Sequence, residues 1–352
     1  MRILYDHPTP FFLAHGGLQI QIRQTMAGVR AAGHETEFLR FWEEEAGADV
    51  IHYFGRCSGF YIEMARSKGI PVVMSDLLSG TGSRAPWKLT LQAAAIRTAR
   101  SVLPGFFTNR MGWESYQQAA ALVAPTKVEK RLMIRLFGAD PHKVHIVTNG
   151  VEDFFFRHEP GDRGARLVCT ATITERKRVL ELAEAAVLAA IPIRIVGRPY
   201  SEQDPYYRAF ASVARKHPDL VLYDGPVNDR RALARLYQQS AGFVLLSTME
   251  SLSLSSMEAA ASGCKLLLAD LPWARDAFGA KAWYCPVPAA VERTAQILKN
   301  FVRNLSGVPT PPVPFTWNEI GRQFARIYEG VANPNTAGKS GGGGGGGGGA
   351  AS

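Results

Sequence analysis

The chain has 352 residues, a net charge of +9, 46% apolar residues and 20% charged residues. That balance describes a globular protein with room for two full cores, and no apolar run reaches the roughly 18–20 residues of a membrane span. Residues 1–150 carry 17 Lys and Arg against 12 Asp and Glu, so the positive charge is spread along the chain. This argues against a dedicated nucleic-acid face and fits an anionic ligand or an acidic membrane surface. Cys57, Cys169, Cys264 and Cys285 lack ligand spacing and read as reduced thiols. With an N-terminus that turns polar too soon for a signal peptide, they predict a cytoplasmic protein. The nine consecutive glycines Gly341–Gly349 mark a flexible tail, taken as residues 331–352.

In chain order, Arg2–Tyr5 reads as a strand, and His15-Gly16-Gly17 leads into a helix from about Leu18 to Ala32. A strand, a Gly-Gly turn and a helix start let a backbone approach a phosphate closely. Thr36–Phe41, Asp49–Phe54 and Pro71–Ser75 follow, with helix Gly59–Lys68 between the last two. This alternation predicts a parallel sheet covered on both faces. Leu77–Arg110 is less regular and holds an Ala-rich basic helix, Lys88–Arg100, assigned to the acceptor side because loops at a sheet's carboxyl edge carry specificity. Helix Lys127–Phe137 sets four cations beside Leu132, Met133, Leu136 and Phe137. It reads first as a solvated basic face and second as a peripheral membrane contact.

The pattern restarts with strand Leu167–Ala171, helix Lys177–Ala190, strands Ile193–Val196 and Leu220–Tyr223, and helix Asp229–Gln239. The buried run Phe243–Leu246 then ends in Glu250 and a hydroxyl-rich turn, followed by a helix from Leu254 that Gly263 stops. Glu250 and Glu258 are eight residues apart, about 80° of offset on one helix, so they would not share a helical face. With Glu250 on the loop and Glu258 in the helix, both can look into the crevice at the strand's carboxyl end, where ligands of open α/β sheets bind. Free amides at the helix start would meet a phosphate, and Glu258 could accept two hydrogen bonds from a vicinal diol such as a ribose. An ordinary capped helix start explains the same residues without a ligand. Strands Lys265–Ala269 and Trp283–Cys285 close the sheet; Val308–Pro314 is too proline-rich for helix or central strand, and an amphipathic helix carries Trp317 to Tyr328.

Glu250-Ser-Leu-Ser-Leu254, three residues, then Glu258-Ala259 resembles the Glu-x7-Glu signature of retaining glycosyltransferases of family four. Asn149-Gly150-Val151-Glu152 is similar to that family's domain junction. The resemblance implies a GT-B fold: two α/β, Rossmann-like domains whose parallel sheets face a central cleft, with a C-terminal helix crossing back. It divides the chain into an acceptor-side domain, 1–150, a nucleotide-sugar domain, 151–312, and a returning helix, 313–330. The implied reaction moves a sugar from a nucleotide-diphosphate donor to an acceptor hydroxyl with retention of configuration. The donor is a co-substrate, with a UDP-sugar as first guess, and the acceptor an unidentified sugar or lipid-linked alcohol.

Leaving-group charge must be met by cations, amides or a metal. No Asp-x-Asp pair suits a metal, so metal-independent chemistry with no cofactor is expected. The resemblance implies donor contacts at Gly16, Gly17, Arg176, Lys177, Gly197, Val227, Glu250, Ser251, Leu252, Ser253, Leu254 and Glu258, and catalytic roles for Glu250 and Lys177; Asp76 is added to the catalytic candidates as a residue that could contact a sugar hydroxyl. Two positions depart from the family. Thr172 stands where the family has an arginine, for which Arg176, Arg178 or Arg198 would substitute. Asp76-Leu77 stands where a histidine is common, leaving Asp76, His15 or His52 to contact the sugar. A nucleotide-sugar epimerase, a phosphorylase and a non-catalytic nucleotide-binding protein remain as alternatives. A peripheral position at the inner membrane face is compatible with all of them.

Overall fold

A computed structural model describes residues 1–13, 16–44, 47–157 and 163–333. The first sheet contains β1 (Arg2–Asp6), β2 (Glu35–Phe38), β3 (Val50–Phe54), β4 (Val72–Ser75), β5 (Ala121–Ala124) and β6 (Val144–Ile146), in the order β2-β1-β3-β4-β5-β6. The second contains β7 (Leu167–Thr170), β8 (Ile193–Val196), β9 (Val221–Tyr223), β10 (Gly242–Leu245), β11 (Lys265–Ala269) and β12 (Trp283–Cys285), in the order β12-β11-β10-β7-β8-β9. All pairings within both sheets are parallel. Helices on both faces bury β4, β5, β7 and β10 along their whole length, which is why these read as continuous apolar runs rather than alternating ones.

The strand order reverses between β1 and β3 in one sheet and between β7 and β10 in the other. A parallel sheet leaves a crevice at such a reversal, because the loops on either side depart in opposite directions. The loops after β1, β7 and β10 carry Gly16-Gly17, Lys177 and Glu250 respectively.

Helix Trp317–Ala332 starts on a capping box between Thr316 and Glu319 and returns to the first sheet. Its Ile320, Phe324 and Tyr328 share a core with Ile3, Tyr5 and Ile22. The crossing with helix Gly17–Ala31 is close: a Cβ on Gly28 would lie 2.3 Å from Trp317 O, and one on Gly321 would lie 2.2 Å from Gly28 O. Tyr328 Oη also bonds Tyr5 Oη (3.0 Å) and His52 Nδ1 (2.6 Å), while His52 Nε2 meets Ser75 Oγ (2.7 Å). His52 is therefore a satisfied core histidine, and burial pushes its pKa down to about 3.

Several local expectations shift. Strand β2 ends at Phe38, not Phe41. The helix expected from Lys177 begins at Val179, after a 3₁₀ turn Glu175–Lys177 and the left-handed Arg178 (φ 53°). The basic helix runs Pro86–Val102. Helix Lys127–Phe137 turns Leu132, Met133, Leu136 and Phe137 inward, so its apolar side chains serve the core and not a membrane. Among the described residues, no helix is long and apolar enough to cross a membrane. Of the expected tail, 334–352 lies outside the described residues.

Candidate active site

Loops from both sheets line an open cavity of about 500 Å³. On one wall, helix Leu254–Ala261 starts beneath Ser253, whose hydroxyl accepts from Ser256 N (3.3 Å). One cap satisfies one amide, and the remaining amides of the first turn are left for another partner. Opposite stands the start of helix Gly17–Ala31. Gly16, at φ 147°, takes a backbone conformation that side chains rarely adopt. The two walls nearly touch: a Cβ on Gly17 would sit 3.2 Å from Leu254 Cδ1. Asn149, which follows β6 in the chain, links the walls through Nδ2 to Leu252 O (3.2 Å), leaving its buried Oδ1 without a partner among the described residues.

Glu250 and Glu258 both line this cavity, with separate cationic partners. Glu250 Oε1 accepts from Lys177 Nζ and, at 3.3 Å, from Arg176 Nη1. Arg176 is aimed by a second bond to Met249 O (2.6 Å). Glu258 is 4% exposed; its Oε1 takes Arg230 Nη2 at 2.6 Å and its Oε2 takes Tyr237 Oη at 3.2 Å. Arg230 also grips Glu152 through Nε (2.9 Å) and Nη2 (2.8 Å). Burial raises the pKa of Glu258, and the Arg230 guanidinium opposes that rise. Each carboxylate oxygen offers two lone pairs, so Glu258 keeps capacity for a diol after its two internal bonds.

Gly16, Gly17, Arg176, Lys177, Glu250, Ser251, Leu252, Ser253, Leu254 and Glu258 are thus brought together, and Thr172 joins them. Three expected site residues are not in the lining. Asp76 is the acid of an internal ion pair: Arg56 donates from Nε (3.1 Å) and Nη2 (3.0 Å), and the buried Tyr116 hydroxyl donates as well. Leu77 and Ser79 face the cavity in its place. Gly197 takes part in loop pairing, donating to Gly225 O (3.1 Å), and Val227 packs against the second domain's core. Of the arginines offered as substitutes at the Thr172 position, only Arg176 reaches the lining. Arg178 donates to Ala289 O (2.7 Å), and Arg198 is exposed elsewhere. His15 lies outside the described residues.

Arg230, Glu152, Asn149 and His7 were not among the expected donor contacts. One signal for Arg230 was legible. Asp229 caps a helix whose first two residues are Arg230 and Arg231. Two cations at the positive end of a helix oppose its dipole and call for an acid partner. Glu129 is a second unexpected feature. It is 2% exposed, faces Ser251 and the Leu78 backbone, and neither carboxyl oxygen closes a hydrogen bond. Burial pushes its pKa up to about 7.

Residues 35–150 match the family model described as a Glycosyl transferase 4-like domain. Among curated proteins, none matches the chain in sequence. Solved structures match its fold over nearly the whole length. Anabaena HepE in complex with UDP is 13% identical with a TM-score of 0.65, covering 96% of this chain and 100% of that one. A glycosyltransferase from Rickettsia africae is 12% identical with a TM-score of 0.67, covering 94% and 98%. Sucrose-phosphate synthase from Thermosynechococcus elongatus is 14% identical with a TM-score of 0.62, covering 96% and 97%. Two parallel six-stranded sheets about a shared cavity, with the last helix returned to the first sheet, give this chain the GT-B fold of glycosyltransferases.

Proposed function

We propose that the chain is a glycosyltransferase that moves a sugar from a nucleotide-diphosphate donor to an acceptor hydroxyl, retaining the anomeric configuration and using no metal. The observation that carries this reading is the convergence of two acids, a helix start, a Gly-Gly loop and a lysine on one cavity between the sheets. The family match over residues 35–150 supports the same class. HepE's complex with UDP makes uridine the first nucleoside to test.

In this reading Glu258 accepts from the ribose hydroxyls. The amides of Leu252–Leu254 and Gly16–Gly17, with Lys177 and Arg176, neutralise the diphosphate. Glu250 contacts the sugar's hydroxyls and positions its anomeric carbon. The bond from that carbon to the diphosphate oxygen breaks and its electron pair stays on the oxygen. The acceptor oxygen bonds to the carbon from the same face, and its proton passes to the departing phosphate oxygen. Cations and amides that are already in place stabilise that developing charge without reorganisation. Away from the cavity lining, Asp276 Oδ2 accepts from Lys127 N at 2.6 Å and ties a helix of one half to a helix of the other.

The test is a thermal-shift screen of nucleoside diphosphates and their sugars, followed by transfer assays on the binder. A ligand bound only by the folded state raises the melting temperature. Binding lost in Glu258→Ala and transfer without added metal are expected. Donor that is epimerised or phosphorolysed without an acceptor, or binding indifferent to Glu258→Ala, would overturn the reading.

A further inference from the structure

Residues 77–113 contain no Asp or Glu and five cations: Arg84, Lys88, Arg97, Arg100 and Arg110. The segment includes helix Pro86–Val102, whose Ala93 and Ile96 pack inward. Its outer face is not the polar one that a solvated helix presents. Trp87 (62%), Leu91 (62%) and Val102 (74%) are exposed, and at about 100° per residue they fall in one stripe about 60° wide. Lys88 and Arg97 flank that stripe on opposite sides. The next helix, Gly105–Arg110, adds exposed Phe106 and Phe107, and the Phe106 ring lies 5.9 Å from Phe60 on helix Gly59–Ser67. Of the acids on adjoining elements, Glu114 is paired with Arg100 and Glu63 accepts from Gln118.

We propose that this face binds an anionic lipid bilayer, with helix Pro86–Val102 lying in the interface and Phe106 and Phe107 as a second anchor. An apolar stripe bordered by cations is the pattern of a helix that lies in a bilayer surface, and aromatic rings favour the headgroup level. The complete absence of acids over 37 consecutive residues, 77–113, selects a negatively charged partner. The segment leaves the carboxyl end of β4, and its Leu77 and Ser79 line the cavity, so a bilayer on this face lies beside the cavity mouth. Lipid binding does not depend on the proposed transfer reaction. A chain that bound vesicles but moved no sugar would keep this surface and lose the reading above.

The experiment is flotation of the full chain with vesicles of phosphatidylglycerol and phosphatidylcholine in equal parts, against phosphatidylcholine alone. Binding to the anionic vesicles only, weakened by salt, is expected. Brominated lipid should quench the wild-type tryptophan emission more than that of Trp87→Phe. Trp87→Ser/Leu91→Ser and Phe106→Ser/Phe107→Ser should each weaken binding about tenfold or more. Lys88→Glu and Arg97→Glu should each weaken it about fivefold. Melting curves verify that each variant is folded. No flotation, equal flotation with neutral vesicles, or undiminished flotation of the folded variants would overturn the proposal. So would a stable dimer that Trp87→Ser/Leu91→Ser converts to monomers, since a second copy would then cover this face.

Discussion

Arg230 holds Glu258 within the cavity lining, donating from Nη2 at 2.6 Å to a carboxylate that is 4% exposed. The acid proposed to anchor the donor's ribose is therefore oriented by the chain's own side chains, Arg230 and Tyr237. Removing one partner of a buried pair strands the other charge and costs about 3–5 kcal/mol. Arg230→Met should destabilise the protein by about that much near neutral pH, and by less at about pH 5, where the stranded acid can take a proton. Urea denaturation of Arg230→Met, Glu258→Gln and the double variant measures this. The double variant should be more stable than the sum of the single losses allows.

Lys177 Nζ donates to Glu250 Oε1, so the ammonium and the carboxylate are paired within the cavity lining. Glu250→Gln removes the carboxylate that competes for the ammonium, so nucleoside diphosphate binding should stay constant or tighten. Transfer should fall about hundredfold or more if Glu250 acts on the transferred sugar. Lys177→Ala should instead weaken the diphosphate about tenfold to a hundredfold, the worth of a charge-assisted bond, and leave the bare nucleoside little affected. Calorimetry of the two variants with nucleoside and nucleoside diphosphate separates these effects.

Glu129 predicts a pH dependence of opposite sign to the usual carboxylate. Burial raises its folded pKa to about 7 from the ordinary 4.5. The folded chain then holds this proton after the unfolded chain has released it. Stability consequently declines as pH rises from about 4.5 to about 7, and the full cost persists above that. Glu129→Gln should gain up to about 3 kcal/mol at about pH 8 and nothing at about pH 4. Denaturation midpoints at the two pH values check the sign.

Gly28 and Gly321 set how closely the returning helix approaches the first sheet. Neither position has room for a methyl group, since the atom it would meet is backbone. Gly28→Ala should cost about 1–3 kcal/mol, as overpacking usually does, despite alanine's better helix propensity. Gly33→Ala makes a poor control because its φ is 93°. Gly330→Ala, with open space around it, is the better comparison and should be near neutral.

Much of this architecture is legible locally. β4, β5, β7 and β10 are short apolar runs, and their periodicity follows from burial on both faces. The acidic pair Glu250 and Glu258 lies within one strand–turn–helix unit, so sequence spacing alone could bring both to the carboxyl edge. The same local logic puts Asp76 at a strand end, yet it lies outside the cavity lining. Its partners Arg56 and Tyr116 come from 20 and 40 residues away, and they turn it inward. Helix Lys127–Phe137 reads from its sequence first as a solvated basic face and second as a membrane contact, whereas its Leu132, Met133, Leu136 and Phe137 turn into the core. Composition does not say which side of a helix meets the core.

By itself the sequence determined the two runs of strand and helix, the Gly-Gly and Glu-x7-Glu loops at their carboxyl ends, and the helix stops. These depend on residues within a few turns of one another, where backbone sterics and period decide. Only the tertiary structure decided that Arg230 joins Glu258 to Glu152, 28 and 78 residues away. It also decided that Asp76 serves an internal ion pair and that Trp87 and Leu91 face outward. Those outcomes depend on which distant segments pack together, because burial and partnership are properties of the assembled surface and not of any one stretch of chain.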